Sequence, residues 1–375
     1  MLALEIFLNR LFICHLDNSP VSDDTMRLFT VGPVMMYPET LEESGRQLPY
    51  FRTAEFSAMM LDSEAVLKRL LGAEDASKVA FLTASGTGAM EAAVSNTLTS
   101  DDKVLIIVGG GFGRRFAEIC DVHNIHHDSV DLEFGETLTG DRLEAFRGRG
   151  YSALLVNIDE TSTGQLYDIH LLSDFCRSEG MMLIVDAISS FLADDLDMER
   201  DGIDEIILSS QKALSLEPGI SMVVVSPRAY DRIRMIPSPS YYLDLDHHFI
   251  DQERGQTPFT PAVGTLINLN HMLHMVESKG LDRKISETAA LASYFREGAR
   301  RIGLIIPDYP LSNAVTPVLF DGNATEVFES LRERGITVTP SGGDLKNRLL
   351  RVGHIGNLSE SDYDILLKEL EGIIG

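Results

Sequence analysis

Residues that could bind a ligand or take part in catalysis directly follow three apolar segments of this sequence. In VAFLTASGTGAMEAAV, the turn SGTG at 85–88 separates a strand-like run from a helix-like run. Asp186 ends the strand-like part of MMLIVDAISS, and Lys212 comes just after EIILSS. Because ligands of a parallel sheet bind beyond the carboxyl ends of its strands, these residues are expected to meet at one site.

Each of these features has its own chemical capacity. Small residues at a helix start expose backbone N–H groups, and the helix dipole adds positive charge, so the turn suits a monophosphate. A lysine amine condenses with an aldehyde, and a carboxylate stabilises a protonated pyridine nitrogen. Taken singly, they are also explained as a helix cap, a strand-end turn and a solvated charge. Together they are the parts that pyridoxal phosphate requires.

The segments that must position these residues alternate in type. Short β-rich runs recur between residues 79 and 226, and several are apolar throughout, which is typical of parallel strands buried on both faces. This alternation predicts an α/β domain with a mostly parallel sheet, and the dense spacing of strands in 181–226 predicts one antiparallel edge. The predicted helices between the strands are 63–71, 87–98, 113–123, 168–179 and 228–234.

The composition changes after residue 235. Residues 236–261 are rich in Pro, Tyr, His and Asp and predict an extended loop, and a long helical stretch with a break near Gly280 follows. Three short strands and two helices then predict a smaller α+β domain. The predicted organisation is an N-terminal extension outside the fold (1–25), a large domain with its N-terminal segment (26–262), and a linking helix with the small domain (263–375).

Nucleotide-binding motifs are not supported. The segment GGGFGRRF at 109–116 lacks the last glycine of the dinucleotide fingerprint, and the chain has no phosphate-binding loop of the GxxxxGK[ST] type. A nicotinamide-dependent or ATP-dependent activity is therefore not expected.

Net charge and cysteine content narrow the expected partners and the cellular compartment of the protein. The net charge of -25 over 375 residues disfavours nucleic acid and anionic membranes as partners, but a small anion can still enter a locally basic pocket. Three unpatterned cysteines indicate a reducing, cytoplasmic compartment. No metal site is expected, and a loose group of histidines is assigned to surface loops: His123, His126, His127, His247 and His248.

With these motifs the sequence resembles the class V aminotransferases, in the branch holding alanine–glyoxylate, serine–pyruvate and 2-aminoethylphosphonate–pyruvate aminotransferases. The resemblance covers about residues 28–370 and rests on TVGP, SGTGAMEAA, ETSTG, VDAISS and SSQKAL. It implies the fold of the fold-type I pyridoxal-phosphate enzymes. That fold has a large domain with a mainly parallel seven-stranded sheet flanked by helices, a smaller C-terminal α+β domain, and a homodimer with shared active sites.

The resemblance assigns the two catalytic residues and the phosphate site. Lys212 matches the Schiff-base lysine, and Asp186 matches the partner of the pyridine nitrogen. Gln211 matches a residue close to the cofactor phosphate. Gly86 and Thr87 match the phosphate-binding turn, and Ser85 before them is expected to contact the cofactor as well.

Other matches surround the cofactor ring and the substrate. Phe112 matches the aromatic residue that stacks on the ring, and Thr161 matches the hydroxyl residue near its phenolic oxygen, with Ser162 as the alternative. Arg351 matches the arginine that binds the substrate carboxylate, for which a guanidinium offers two parallel donors.

A further group of matches concerns the neighbouring subunit. The segment QERGQTPFTPAVG at 252–264 matches the one that crosses to the partner, so Thr257, joined by Arg254, is expected at the partner's cofactor phosphate. Arg52 lies in a segment that approaches the site in this family and is a candidate for binding a distal anionic group of the substrate.

The predicted activity is a pyridoxal-phosphate-dependent aminotransferase. It moves an amino group from a small donor (alanine, serine, aspartate or 2-aminoethylphosphonate) to pyruvate or glyoxylate by a ping-pong mechanism. A lyase using the same cofactor, or a non-catalytic homologue that binds it, remains an alternative. A desulfurase is disfavoured because no cysteine follows Cys176.

Overall fold

A seven-stranded sheet forms the centre of the larger domain. The computed structural model describes residues 26–375, so the predicted extension 1–25 lies outside the described residues. The strands are β2 (Lys78–Leu82), β3 (Lys103–Val108), β4 (His126–Asp131), β5 (Ala153–Asn157), β8 (Met182–Asp186), β9 (Glu205–Ser209) and β10 (Ser221–Val225). Their order in the sheet is β2-β10-β9-β8-β5-β3-β4. β10 runs antiparallel to both of its neighbours, and the other pairings of the sheet are parallel. The predicted mainly parallel seven-stranded sheet is confirmed.

Helices cover both faces of this sheet, as the continuous apolar runs require. Within β3, Leu105 packs into the core on one face and Ile106 into the core on the other. The first face is covered by α2 (Ala54–Leu70), α6 (Ile169–Glu179) and α9 (Val263–Lys279). The second is covered by α3 (Gly86–Thr97), α4 (Gly111–Val122), α7 (Pro227–Arg234) and α8 (Leu245–Gln252). The remaining short elements of this part are α1 (Pro38–Ser44), α5 (Gly140–Glu144), β6 (Asp159–Glu160) and β7 (Gln165–Leu166).

The small domain contains a four-stranded sheet. Its elements are β1 (Arg27–Phe29), α10 (Leu281–Arg301), β11 (Val315–Leu319), α11 (Ala324–Glu333), β12 (Ile336–Pro340), a 3-10 turn (Gly343–Leu345), β13 (Leu349–Gly353) and α12 (Glu360–Ile374). The order of the strands in this sheet is β1-β12-β13-β11. Phe29, Phe295 and Tyr363 lie in its core. α9 and α10 meet at Gly280, whose φ of +91° ends the first helix where the sequence predicts a break.

Three sequence expectations are corrected by the fold. The large domain was expected to include everything from residue 26, but β1 pairs in parallel with β12 of the small domain. The region 236–261 is not wholly extended, because Asp244 caps the start of α8 by accepting a hydrogen bond from the His247 N–H. β4 was missed since an edge strand is paired on one side and lacks a continuous apolar run.

Four of the five histidines that the sequence analysis assigned to surface loops lie instead on a strand or a helix. His126 and His127 lie on β4, and His247 and His248 lie on α8. Within residues 26–375, no three His, Cys, Asp or Glu side chains are arranged to hold a metal ion. Over the same range, no helix combines the length and apolarity needed to cross a bilayer.

Candidate active site

A cavity of about 150 Å³ lies at the carboxyl ends of β8 and β9, beside the start of α3. It brings together the sequence-predicted residues Ser85, Gly86, Thr87, Phe112, Thr161, Asp186, Gln211 and Lys212. Residues that the sequence analysis did not predict complete the lining: Gly32, Met90, Arg115, Asn157, Ile188 and Ser189. Ligand sites of α/β sheets lie beyond the carboxyl ends of the strands, and this cavity has that position.

Lys212 lies in the wall of this cavity and is 8% exposed. Its Nζ donates a hydrogen bond to the Val31 carbonyl oxygen over 2.5 Å. Burial lowers the pKa of this amine to about 8. A lysine with such a pKa has a substantial neutral fraction near neutral pH and can act as a nucleophile.

Gly32 makes room for the lysine. A Cβ atom at this position would lie 2.6 Å from Cδ of Lys212, and the φ of Gly32 is +125°. Both observations require glycine. The TVGP motif therefore has a local structural role beside Lys212.

Asp186 ends β8 and is 1% exposed. Its Oδ1 accepts a hydrogen bond from the Ile188 N–H over 2.9 Å. Burial raises the pKa of this carboxyl to about 6. Because a buried carboxylate is unfavourable without a compensating charge, this position suits a cationic ligand group.

The start of α3 forms another part of the cavity wall. Ser85 caps the helix by accepting a hydrogen bond from the Gly88 N–H over 3.4 Å. Thr87 Oγ1 accepts a hydrogen bond from the Arg115 guanidinium over 3.1 Å. Helix N–H groups beside a guanidinium form a site suited to a phosphate.

Arg115 was missed by the sequence analysis, although a signal existed. Residues three apart on a helix lie on one face, and Arg115 follows Phe112 by three positions in α4. Its guanidinium carbon lies 4.8 Å from the centre of the Phe112 ring. The ring and the cation therefore line the cavity together.

Glu160 holds the beginning of α4. Its carboxylate accepts hydrogen bonds from the backbone N–H of Phe112 over 3.2 Å and of Gly113 over 2.9 Å, and the side chain is fully buried. Ser162 Oγ accepts a hydrogen bond from the Gly111 N–H over 3.0 Å. A Cβ at Gly110 would lie 2.6 Å from the Glu160 carboxyl carbon, so close approach explains this glycine of GGGFG.

Thr161 and Ser162 occupy different places. Thr161 lines the first cavity and donates a hydrogen bond to Ser189 Oγ over 2.8 Å. Ser162 instead lines a second cavity of about 370 Å³. The structure thus separates the two hydroxyl residues that the sequence analysis kept as alternatives.

The second cavity lies between the two domains and contains Arg351. This arginine is on β13 and donates to the carbonyl oxygens of Thr161 over 2.9 Å and of Pro340 over 2.8 Å. Its Nε is buried with no partner within the part of the chain that the structure describes. Burial lowers the pKa of the guanidinium to about 10. An anion entering the cavity can satisfy this donor.

The other predicted contacts are not in either cavity of the protomer. Arg52 donates to Gln256, Thr257 and Pro258, with the shortest contact, to the Thr257 carbonyl oxygen, at 2.9 Å. Arg254 pairs with Asp251 on the protein surface. The expected substrate contact of Arg52, and the expected approach of Arg254 and Thr257 to a partner's site, remain predictions.

The lining of the first cavity fits pyridoxal phosphate. A buried amine, a buried carboxylate and a helix start with an adjacent guanidinium match the aldehyde, pyridinium and phosphate of that cofactor. Asn157 Oδ1 is buried, and no group within residues 26–375 donates a hydrogen bond to it. Asn157 lines the first cavity, so a bound ligand can supply a partner for this acceptor.

Comparison with known proteins agrees with this chemistry. The profile of the family described as aminotransferase class-V matches residues 42–346. A Synechococcus sp. protein described as the small subunit of a soluble hydrogenase is 30% identical over 360 residues, covering 94% of this chain and 93% of the relative. An L-aspartate–glyoxylate aminotransferase of Paracoccus denitrificans is 27% identical, covering 89% of this chain and 87% of the relative. A crystal structure of an aspartate aminotransferase from Thermus thermophilus is 28% identical with a TM-score of 0.86, covering 93% of this chain and 99% of that one.

Proposed function

The chain belongs to the class V aminotransferases and is a pyridoxal-phosphate-dependent transaminase, and from this premise we propose that it transfers the amino group of a small amino acid to pyruvate or glyoxylate. The observation that carries the proposal is the position of Lys212. Its amine lies in a cavity with Asp186 and with the start of α3, next to a second cavity that contains Arg351.

Residues of the first cavity bind the cofactor and transfer the proton, and Arg351 of the second cavity binds the substrate carboxylate. When bound, the cofactor supplies an aldehyde and an electron-withdrawing ring that accepts electrons from the substrate Cα. Asp186 maintains the positive charge on the ring nitrogen, while the N–H groups of α3 and the Arg115 guanidinium hold the phosphate. Lys212 Nζ moves the proton of the substrate Cα as general base and general acid.

Arg351 orients the substrate for this proton transfer. Its backbone acceptors, Thr161 and Pro340, hold the guanidinium in place before substrate arrives. A preorganised guanidinium binds a carboxylate through two parallel hydrogen bonds and sets the direction of the Cα–H bond. The donor and the 2-oxo acid acceptor both carry a carboxylate, so one arginine serves both half-reactions.

We also propose that the enzyme is a homodimer. Large apolar side chains are exposed around the segment 252–264, including Tyr50 at 68%, Tyr241 at 81% and Ile250 at 54%. Exposed apolar surface of this kind favours a protein interface. Arg52 fixes the backbone of Thr257 at this surface, where a second copy would meet it.

The hydrogenase activity in the description of the Synechococcus relative is not proposed for this chain. The two cavities present a lysine, a carboxylate and arginines, which are groups for binding and transferring an amino group. The aspartate and glyoxylate in the name of the Paracoccus denitrificans relative agree with the proposed donor and acceptor classes.

The test follows the visible absorbance of the holoenzyme while single donors are added without a 2-oxo acid. Alanine, serine, aspartate and 2-aminoethylphosphonate form the panel. Loss of the absorbance with a donor, and its return with pyruvate or glyoxylate, is the expected result. An unchanged spectrum with every donor contradicts the proposal, and donor consumption without amino transfer indicates a lyase.

Two lysine variants complete the test. Lys212→Ala should lower turnover by at least about 10³-fold, because it removes the nucleophile and the proton carrier. Lys284 is the matched control, since it is also 8% exposed with a pKa lowered by burial to about 8, yet it lies outside both cavities. Lys284→Met should retain the donor response. Multiple turnovers by Lys212→Ala would refute the assignment of this residue.

A further inference from the structure

The second cavity has two guanidinium groups with different surroundings. Arg351 is tethered to two carbonyl oxygens on the small-domain side. Arg114 lines the same cavity from α4, and its side chain has no hydrogen-bond or ion-pair partner within residues 26–375. The adjacent Arg115 is bound to Thr87 instead. Arg114 is thus a cation facing the cavity without an assigned counter-ion.

Such an arrangement is unusual on a strongly acidic chain. The net charge is -25, so most of the surface attracts cations, whereas this cavity holds two arginines and one acidic residue, Asp344. Two guanidinium groups make the cavity locally positive and favour a ligand with two anionic groups. Each guanidinium presents the planar pair of donors that a carboxylate accepts.

We infer that Arg114 binds the side-chain carboxylate of the amino donor, so that the preferred donor is a dicarboxylic amino acid of the aspartate type. The inference rests on the proposed function, in which Arg351 takes the α-carboxylate. A volume of about 370 Å³ accommodates a ligand that extends from one arginine toward the other. The glycines at 109–111 and 342–343 keep the space between them free of side chains.

An ion pair with Asp344 is an alternative role for the Arg114 guanidinium in the second cavity. It lies in the 3-10 turn Gly343–Leu345 of the small domain and lines the same cavity. An ion pair between Asp344 and Arg114 would draw the domains together over any substrate. The two side chains form no salt bridge in the structure, and such a latch would assist every donor equally, whereas a substrate contact assists only dicarboxylic donors.

Steady-state kinetics of the holoenzyme separate these explanations. The substrates are aspartate, alanine and serine, each with glyoxylate as the acceptor, because alanine with pyruvate gives no net reaction. The variants are Arg114→Gln and Asp344→Asn. We expect wild-type kcat/KM to be highest for aspartate. Arg114→Gln should lower kcat/KM for aspartate by about 10- to 100-fold, the loss typical of a charge-assisted hydrogen-bonded contact, while the alanine value changes little. Asp344→Asn should not reproduce this selective loss.

A binding measurement without turnover supports the kinetics. Succinate and propionate lack an amino group, so calorimetric titration reports carboxylate binding alone. Wild type should bind the dicarboxylate succinate more tightly than the monocarboxylate propionate, and Arg114→Gln should remove the difference. Equal losses for aspartate and alanine, or the same effect from Asp344→Asn, would overturn the inference in favour of the latch.

Failure of the inference is distinguishable from failure of the proposed function. If alanine or serine is a donor and aspartate is not, the inference is wrong and the transaminase stands. If no donor removes the visible absorbance and none is converted, the proposed function is wrong and the inference falls with it.

Discussion

The Lys212 amine and the Val31 carbonyl oxygen are joined by a hydrogen bond of 2.5 Å. Val31 lies two residues after the end of β1, in the segment that leads from the small-domain sheet to the large domain. Lys212 is therefore held by the chain that passes from the small-domain sheet to the large domain. This contact, with the close approach of Gly32, accounts for the TVGP motif near the beginning of the resemblance.

The buried position of Lys212 predicts an unusual pH dependence for cofactor attachment. Only the neutral amine attacks an aldehyde, and burial lowers the pKa of Lys212 from 10.5 to about 8. The attachment rate should therefore rise with pH and level off above a midpoint near 8. Rapid-mixing absorbance of the cofactor-free protein with pyridoxal phosphate measures this profile. A midpoint near 10.5, the value of an ordinary lysine, would contradict it.

Glu160 is predicted to be a positioning residue for the ring of Phe112. Glu160→Ala removes the acceptor of two backbone N–H groups at the start of α4, a loss of about 1–3 kcal/mol for buried groups. The cofactor Kd should rise about 10-fold or more, and the circular dichroism of the bound cofactor should change. Glu160→Gln keeps one oxygen acceptor and should recover part of both signals.

The control for Glu160 lies on the same helix. Glu118 is an exposed residue of α4, so Glu118→Ala changes a charge on the helix without removing the N-terminal contacts. It should leave both cofactor signals unchanged. Equal effects of Glu118→Ala and Glu160→Ala would show that charge on the helix, and not the position of Phe112, determines binding.

Arg52 is predicted to affect cofactor binding indirectly, by holding the backbone of residues 256–258 in position. Its guanidinium donates to Gln256, Thr257 and Pro258, and Arg52→Ala removes these charge-assisted bonds. The cofactor Kd should rise about 10-fold while the KM of the donor is unchanged. A higher donor KM with an unchanged cofactor Kd would instead support direct substrate binding. Arg283→Ala is the control, because Arg283 forms a surface ion pair with Glu287.

Glu205 is predicted to make stability depend on pH. This fully buried carboxyl accepts a hydrogen bond from Thr97, and burial raises its pKa from 4.5 to about 8. The unfolded chain ionises near 4.5 and the folded chain near 8, so stability falls as pH rises between these values. Glu205→Gln cannot ionise, and its stability relative to wild type should increase by roughly 2–3 kcal/mol from about pH 5 to about pH 7.

Denaturant unfolding at several pH values, with saturating cofactor, measures the effect of Glu205→Gln as the difference from wild type. Glu326→Gln changes an exposed glutamate of α11 and should show no such trend. A constant difference between Glu205→Gln and wild type across this pH range would mean that the Glu205 carboxyl titrates normally.

Local sequence was sufficient for much of the fold. Continuous apolar runs such as 104–108 and 153–156 predict parallel strands buried on both faces, and the structure has them. Strand-end positions also predict that Lys212 and Asp186 lie close to the SGTG turn. These features are decided by side-chain pattern and by the rule that strand ends of a parallel sheet share one edge.

Tertiary structure decided the features that depend on distant partners. A three-residue strand such as β1 carries too little pattern to select its sheet, so its pairing with β12 emerges only in the fold. Glu160 reaches the start of α4 from a sequence distance of 48 residues. Arg114 and Arg115 are adjacent in the sequence yet line different cavities. Successive residues of a helix point about 100° apart, and only the packing around α4 determines what each of them meets.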